Sequence, residues 1–222
     1  MKINHEQTKT KINEVIGLLR SQALYAKNFR KEALKVNQDE MLAQKYKNDK
    51  LAELRAAYNA KYEETKTKLA EILEEIAEIE LEQEKILEFD TPEFSNTLAA
   101  INAAQGNLPA DVINGIKLNF AGQYQALITI KSAFDRYGID LAPYGYEEYI
   151  TSAGFAIQPL ISAAKNIEQD EVSTVLSLKN LFDDILKFGK VRGIEFTPAE
   201  ETFGEYDEED RELIARRAMG LS

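Results

Sequence analysis

The chain has 222 residues, with 38 acidic and 27 basic side chains and a formal net charge of −11 at pH 7. This charge opposes general binding to DNA or RNA, because phosphate groups would be repelled. The chain has no cysteine, so it cannot form disulfides or thiolate metal sites. It has a single histidine, so His5 is the only residue that could serve as the histidine of a Ser-His-Asp site. We therefore expect no cofactor, no bound metal and no enzymatic activity.

The first residues contain no apolar core of the signal-peptide type, and His5 is expected to lie at a frayed N-terminus. The longest weakly polar stretch, residues 153–164, is too short to span a bilayer. These features predict a cytoplasmic protein, or one of the host cytoplasm or virion if its source is viral, with no membrane contact.

Residues 9–88 form a charged run with one glycine and no proline, and they contain two ladders of apolar residues with heptad spacing. We predict a coiled-coil arm over residues 1–90. Its hairpin or oligomerisation contacts are Leu19, Phe29, Leu69, Ile72, Ile76 and Ile79.

The two ladders are compatible with one continuous rod or with an antiparallel helical hairpin. Residues 1–61 carry thirteen basic and seven acidic side chains, whereas residues 62–90 carry three and eleven. Opposite charge balance favours pairing of the two halves, so we prefer the hairpin. Its tip is expected near Asn48–Asp49, with Val36 opposite Tyr62 and Met41 opposite Tyr58.

Residues 91–193 are predicted to form a compact helical bundle domain. Thr91 and Pro92 are suited to the N-cap and first position of a helix that runs to Ala104. Further helices are expected over residues 108–137, over 146–166 with breaks at Gly154 and Pro159, and over 170–190. The fold class is all-α. An acidic linker and a C-terminal helix, residues 208–219, complete the chain over 194–222.

Two features are typical of protein-binding surfaces. One is the aromatic loop with Tyr144, Tyr146 and Tyr149, although packing onto the helical core is the better explanation of such rings. The other is the C-terminal helix, which either docks into a partner or packs on its own domain. Its candidate contacts are Leu213, Ile214, Arg216 and Arg217.

Two further sequence patterns resemble ligand sites but are better explained as structural features. The helical spacing of Glu71, Glu74, Glu75 and Glu78 occurs in di-metal bundles, but those sites also need histidines that this chain lacks. A solvated helix face is the better interpretation. The segment from Gly189 to Gly193 is short and basic, and it reads as a helix stop rather than a phosphate site.

An acidic, cysteine-free, helical chain with a Glu-rich coiled coil and a tail helix carrying Arg216 and Arg217 resembles tailed-phage scaffolding or capsid-associated assembly proteins. The resemblance is one of layout over the whole chain. It implies self-association through the coiled coil and contact of the tail with a coat protein, as part of virion assembly. We therefore expect a structural protein whose partners are proteins, chiefly copies of itself. The alternative is an acidic binding module or inhibitor that mimics nucleic acid toward a basic partner.

Overall fold

The computed structural model describes residues 5–85, 91–167 and 171–204. Helices make up its regular structure, and no strand occurs within these ranges, so the predicted all-α class is confirmed. The helices are α1 (Glu6–Gln38), α2 (Gln44–Glu84), α3 (Pro92–Ala103), α4 (Ala110–Asn119), α5 (Tyr124–Asp135), α6 (Tyr146–Ile150), α7 (Ala153–Ala156), α8 (Gln158–Lys165) and α9 (Glu171–Val191). None of the helices in these ranges is long and apolar enough to cross a membrane.

The described residues fall into two compact units. The first unit takes its described residues from 5–12, 74–85, 91–159 and 185–197, and the second from 13–73, 160–167, 171–184 and 198–204. Each unit therefore combines residues from both sides of the boundary predicted at residue 90.

In the second unit, α1 and α2 pair as an antiparallel hairpin. Thr65 donates a hydrogen bond to Gln22 at 3.0 Å, and the Phe29 ring stacks on Tyr58 with 4.7 Å between centroids. The α2 position thus falls from 65 to 58 as the α1 position rises from 22 to 29, which is the antiparallel sense.

The predicted tip at Asn48–Asp49 is wrong, because both residues lie inside α2. The helices are joined by residues 39–43, where the backbone N–H of Met41 donates to the Asp39 carboxylate at 2.8 Å. A carboxylate that caps the backbone two residues ahead is a local turn-forming device. Tyr58 consequently faces Phe29, and not Met41 as predicted.

The buried face of α2 differs from the predicted ladder in its C-terminal half. Leu73 and Glu80 are fully buried, whereas the predicted contacts Ile72 and Ile79 are only partly buried. The buried positions Leu69, Leu73, Ile76 and Glu80 are spaced by four, three and four residues, so this half of α2 follows an 11-residue repeat and not the predicted heptad.

In the first unit, α3 begins as predicted. The Thr91 hydroxyl accepts a hydrogen bond from the backbone N–H of Phe94 at 3.2 Å, and Pro92 occupies the first turn. The single helix predicted over 108–137 is wrong, since α4 and α5 are separated at residues 120–123. Gly122 makes this break possible with φ 81°, a conformation that L side chains rarely adopt.

The core of the first unit is formed by α3, α4, α5 and the loop before α6. Its buried members are Phe94, Ile101, Ile113, Phe120, Ala126, Leu127, Ile130, Ala133, Phe134, Leu141 and Tyr146. In the second unit, Ala26, Phe29 and Tyr58 form a smaller cluster, with Leu54 and Val175 packed against it.

Candidate functional site

The end of the hairpin in the second unit has no buried side chain. We call residues 30–57 the hairpin tip; they comprise the last turns of α1, the connection and the first turns of α2. All of them are exposed or half-buried. Three large apolar side chains of the tip face solvent, with exposed fractions of 49% for Leu34, 94% for Met41 and 56% for Tyr46. A surface with this composition is typical of an interaction site.

The tip also differs from the whole chain in charge. It carries seven basic and five acidic side chains, for a net charge of +2 in a chain of net −11. Positive and negative side chains are interspersed along the tip, and Lys50 and Glu53 form an exposed ion pair at 3.3 Å. Lys47 links the two helices by donating to the backbone carbonyl of Asn37 at 3.0 Å. The tip therefore repels another acidic molecule less than the chain as a whole does.

The structure also places the six hairpin residues predicted from the ladders. Leu19, Leu69 and Ile76 are fully buried and Phe29 is nearly so, whereas Ile72 and Ile79 are partly buried. Buried contact residues of this kind hold α1 and α2 in place and leave little of their own surface for another molecule.

The aromatic loop contributes mainly to the core of the first unit. Tyr146 is fully buried, and its hydroxyl donates to the carbonyl of Ile113 at 3.0 Å; burial raises the pKa of this hydroxyl. Tyr144 and Tyr149 are half-buried against the same core. Burial also raises the pKa of Tyr149. These positions fit the core-packing alternative better than a binding surface.

The C-terminal candidates Leu213, Ile214, Arg216 and Arg217 lie outside the described residues. The segment before them is anchored in the second unit. Arg20 donates to the carbonyls of Ala199 at 2.7 Å and Glu200 at 3.0 Å, and also to that of Thr202. The buried Phe203 ring packs on Phe182 at 5.2 Å.

His5 is packed in the first unit, and the expected frayed position is wrong. Its Nδ1 lies 3.1 Å from Oε1 of Glu80, which is 1% exposed, and the hydroxyl of Thr8 donates to the same oxygen at 2.5 Å. Sequence patterns did not single out Glu80, which lies on the buried face of α2 and not on the face that carries Glu71, Glu74, Glu75 and Glu78. A buried carboxylate requires such partners.

A cavity of about 400 Å³ opens beside this histidine in the first unit. It is lined by residues from the start of α1, the start of α3, the α4–α5 connection and the segment after α9. Its lining residues are His5, Thr91, Glu93, Leu118, Asn119, Phe120, Ala121, Gln123, Gly193 and Glu195. A Cβ on Gly122 would lie 2.6 Å from Nε2 of His5, so this nitrogen is close to the α4–α5 connection.

A buried ion pair holds the first unit together near the end of α9. Arg192 donates from Nη1 to Glu84 at 2.9 Å and from Nη2 to the carbonyl of Thr151 at 2.7 Å. The Glu84 carboxylate also accepts from the backbone N–H of Ala153 at 2.6 Å and from the Ser152 hydroxyl at 2.9 Å. Both charged side chains are at least nine-tenths buried. The pair therefore joins α2, α9 and the connection between α6 and α7.

Within the described ranges, no group of three or more histidine, aspartate or glutamate side chains is placed to hold a metal ion. Glu75 of the predicted acidic face pairs instead with Lys11 at 2.8 Å. No family model, curated protein or solved structure matches the chain. The resemblance to phage scaffolding proteins therefore stays a prediction from layout.

Proposed function

We propose that this protein is a structural assembly protein that self-associates through its hairpin tip. The proposal rests on the composition of the tip. Its 28 residues include no buried side chain, and three of the side chains that it exposes are large and apolar: Leu34, Met41 and Tyr46. Each helix of a hairpin can bury one apolar stripe against the other helix, and exposed apolar side chains outside that stripe are available for contact with a further surface.

A second copy of the chain is the occupant that electrostatics favours. Two copies with a net charge of −11 repel each other, but the tip carries a small positive charge with both signs interspersed. Two tips can therefore approach without strong repulsion and pair opposite charges across the contact. Closed two-fold dimers that use the same patch on both copies are the commonest homo-oligomers.

In this arrangement, the two hairpins contribute two helices each to a four-helix contact at the tips. Four-helix packing buries apolar positions that a two-helix hairpin leaves exposed. We assign this self-association to virion assembly from the layout of the sequence.

The alternative, an acidic module that binds a basic partner, has less support from the contacts. Several carboxylates of α2 are already paired with lysines, as in Glu75 with Lys11 at 2.8 Å and Glu82 with Lys85 at 2.5 Å. Glu64 is paired with two lysines, Lys61 at 3.1 Å and Lys68 at 2.7 Å. The two lysines lower the pKa of the Glu64 carboxyl by donating hydrogen bonds to it. Such pairing reduces the negative potential that a basic partner would recognise.

Sedimentation velocity at micromolar concentration tests the proposal. The wild-type chain should sediment with twice its monomer mass of 25.1 kDa, and the tip variant Leu34→Asp/Met41→Asp should shift toward monomer. The matched control is Leu24→Asp, because Leu24 also lies on α1 and is 59% exposed but is outside the tip. A wild-type monomer would overturn the proposal, and so would equal loss of mass in the tip and control variants.

A further inference from the structure

We infer that the acidic residues 205–212 dock on one exposed face of α1 within the same copy of the chain. We call this face the α1 stripe. It begins one helical turn after Arg20 and consists of Leu24, Lys27, Lys31 and Lys35. The docking does not depend on self-association, since the segment and the helix belong to one copy.

The described part of the chain ends at residue 204, next to the start of the α1 stripe. The Arg20 guanidinium donates to the carbonyl of Thr202 and lies over the Phe182 ring, 5.8 Å from its centroid. The buried Phe203 ring packs on the same Phe182 ring, with 5.2 Å between centroids. The chain therefore leaves the described residues close to Arg20, one helical turn from Leu24.

The members of the α1 stripe share one side of the helix. Counted from Arg20, they stand four, seven, eleven and fifteen residues further on, a spacing that keeps positions on one face of a helix. Leu24 is 59% exposed, and the side chains of Lys31 and Lys35 are exposed as well. The stripe thus presents one apolar position next to Arg20 and then three ammonium groups.

The segment that follows residue 204 has the opposite charge. Residues 205–212 include six acidic side chains and one basic side chain, for a net charge of −5. Tyr206 comes early and suits the apolar position Leu24, and the six residues after it then meet the lysines. The lengths agree, because Leu24 to Lys35 covers about 16 Å along α1 and six extended residues span up to about 20 Å.

Charge also disfavours the other surfaces near this point. Toward the start of α1 the exposed side chains include Glu14, and the nearby part of α9 exposes Asp183 and Asp184. These carboxylates would repel the acidic segment. The ammonium group of Lys179, also on α9, is already paired with Asp183. The α1 stripe is therefore the surface that complements residues 205–212.

Docking has a consequence for the hairpin tip, because Lys31 and Lys35 belong to both surfaces. With residues 205–212 in place, the net charge of the tip would change from +2 to −3. Two tips would then repel each other more strongly. The acidic segment would compete with self-association. This consequence, unlike the docking itself, rests on the proposed function.

Photo-cross-linking in the full chain tests the docking. The probe p-benzoylphenylalanine replaces Asn28, which is exposed on α1 between Lys27 and Lys31. The matched control probe replaces Asn180, which is exposed on α9 in the same unit. Mass spectrometry identifies the captured peptide after irradiation. A denaturing gel separates a link within one copy from a link between two copies.

We expect the probe on α1 to capture residues 205–212 in a product of monomer mass, and the probe on α9 to capture none of them. The variant Lys31→Glu/Lys35→Glu should lower this capture at least about twofold, because each exposed ion pair shifts an equilibrium by a factor of about 1.4–5. In that background, Asp207→Lys/Asp210→Lys should restore the capture, which a misfolded chain would not allow.

The matched charge control is Lys45→Glu/Lys50→Glu, which makes the same change at exposed positions of α2 and should leave the capture unchanged. Failure of the α1 probe to capture residues 205–212 would overturn the docking. Capture of the segment from a second copy, or equal capture by the α9 probe, would also overturn it. These probe results decide the question even if a lysine variant misfolds.

Sedimentation velocity tests the competition separately. The variant Asp207→Asn/Asp210→Asn should dimerise at a lower protein concentration than the wild-type chain, because it removes two negative charges from the segment. Unchanged dimerisation of this variant would overturn the competition and leave the docking in place. A monomeric wild-type chain that still gives the cross-link would overturn self-association and support the docking.

Discussion

The buried pair of Arg192 and Glu84 allows a sharp test of how the first unit is held together. Replacing Arg192 with Met removes the charge while keeping much of the apolar stem, and it leaves Glu84 with the Ala153 N–H and the Ser152 hydroxyl as its remaining donors. Breaking a buried pair by removing one partner costs about 3–5 kcal/mol, because the other charge stays buried without compensation. For a chain of this length, that corresponds to a melting temperature lower by roughly 6–20 °C.

Double-mutant analysis separates the pair from general disruption. Glu84→Gln alone should cost a similar amount, because it leaves the Arg192 guanidinium buried beside a neutral group. The double variant Arg192→Met/Glu84→Gln should cost much less than the sum of the single variants, with a coupling of about 2–3 kcal/mol. The free energy of unfolding is measured by urea denaturation followed by far-ultraviolet circular dichroism.

An exposed ion pair of the same unit, which joins α9 to α6, serves as the control. Lys187 and Glu148 are 2.7 Å apart, with side chains 63% and 52% exposed. Lys187→Met removes the same charge but should cost no more than about 1 kcal/mol, since water screens the pair. If Arg192→Met were as mild as Lys187→Met, or if the two buried-site variants were additive, the argument from burial would be refuted.

Three further changes test local features. Gly122→Ala should destabilise the chain by more than Gly138→Ala does. Both glycines have positive φ, but only at Gly122 would an added Cβ meet the backbone, 2.3 Å from a carbonyl oxygen. Urea denaturation of both variants measures the difference in the free energy of unfolding. Burial holds the pKa of Tyr146 above about 10, its unfolded value, so its contribution to stability is complete well below pH 10 and is lost at up to about 1.4 kcal/mol per pH unit above it. Tyr146→Phe should remove that part of the slope above about pH 10, and urea denaturation at a series of pH values measures it. Gly17 lies in the interior of α1, and an added Cβ there would have no atom within 4 Å. Gly17→Ala should therefore stabilise the chain by about 1 kcal/mol in urea denaturation, because alanine favours the helix more than glycine does. A destabilised variant would contradict this expectation.

The sequence predicts those elements whose signals are local. The start of α3 follows from one capping residue and one proline, and the structure has both in their expected roles. The antiparallel hairpin follows from matched ladders and opposite charge balance. The turn of the hairpin could not be located in this way. If one ladder is moved along the other by a heptad, most apolar positions of one helix still face apolar positions of the other. Asp39, which caps the turn, was the available signal.

The candidate sites depend on contacts that hydrophobic patterns do not encode. Glu80 lies on the buried face of α2, where the periodic interpretation expects an apolar residue, and its partners Thr8 and His5 are more than 70 positions away in the chain. The break between α4 and α5 likewise depends on Gly122 lying against the carbonyl of Arg192. A single glycine within an apolar helical pattern does not by itself predict such a contact.

The central claim is that two copies meet at the hairpin tip, and the absence of cysteine allows a direct measurement of it. A spin label on Ala52→Cys places one label at an exposed tip position of each copy and leaves Leu34, Met41 and Tyr46 in place. Pulsed dipolar spectroscopy then reports the distance between labels on different copies. Self-association at the tip predicts a defined distance between the two tip labels. It predicts no defined distance between control labels on Leu24→Cys, a position that is exposed on α1 outside the tip. A signal from the control label with none from the tip, or no dipolar signal from either, would contradict it.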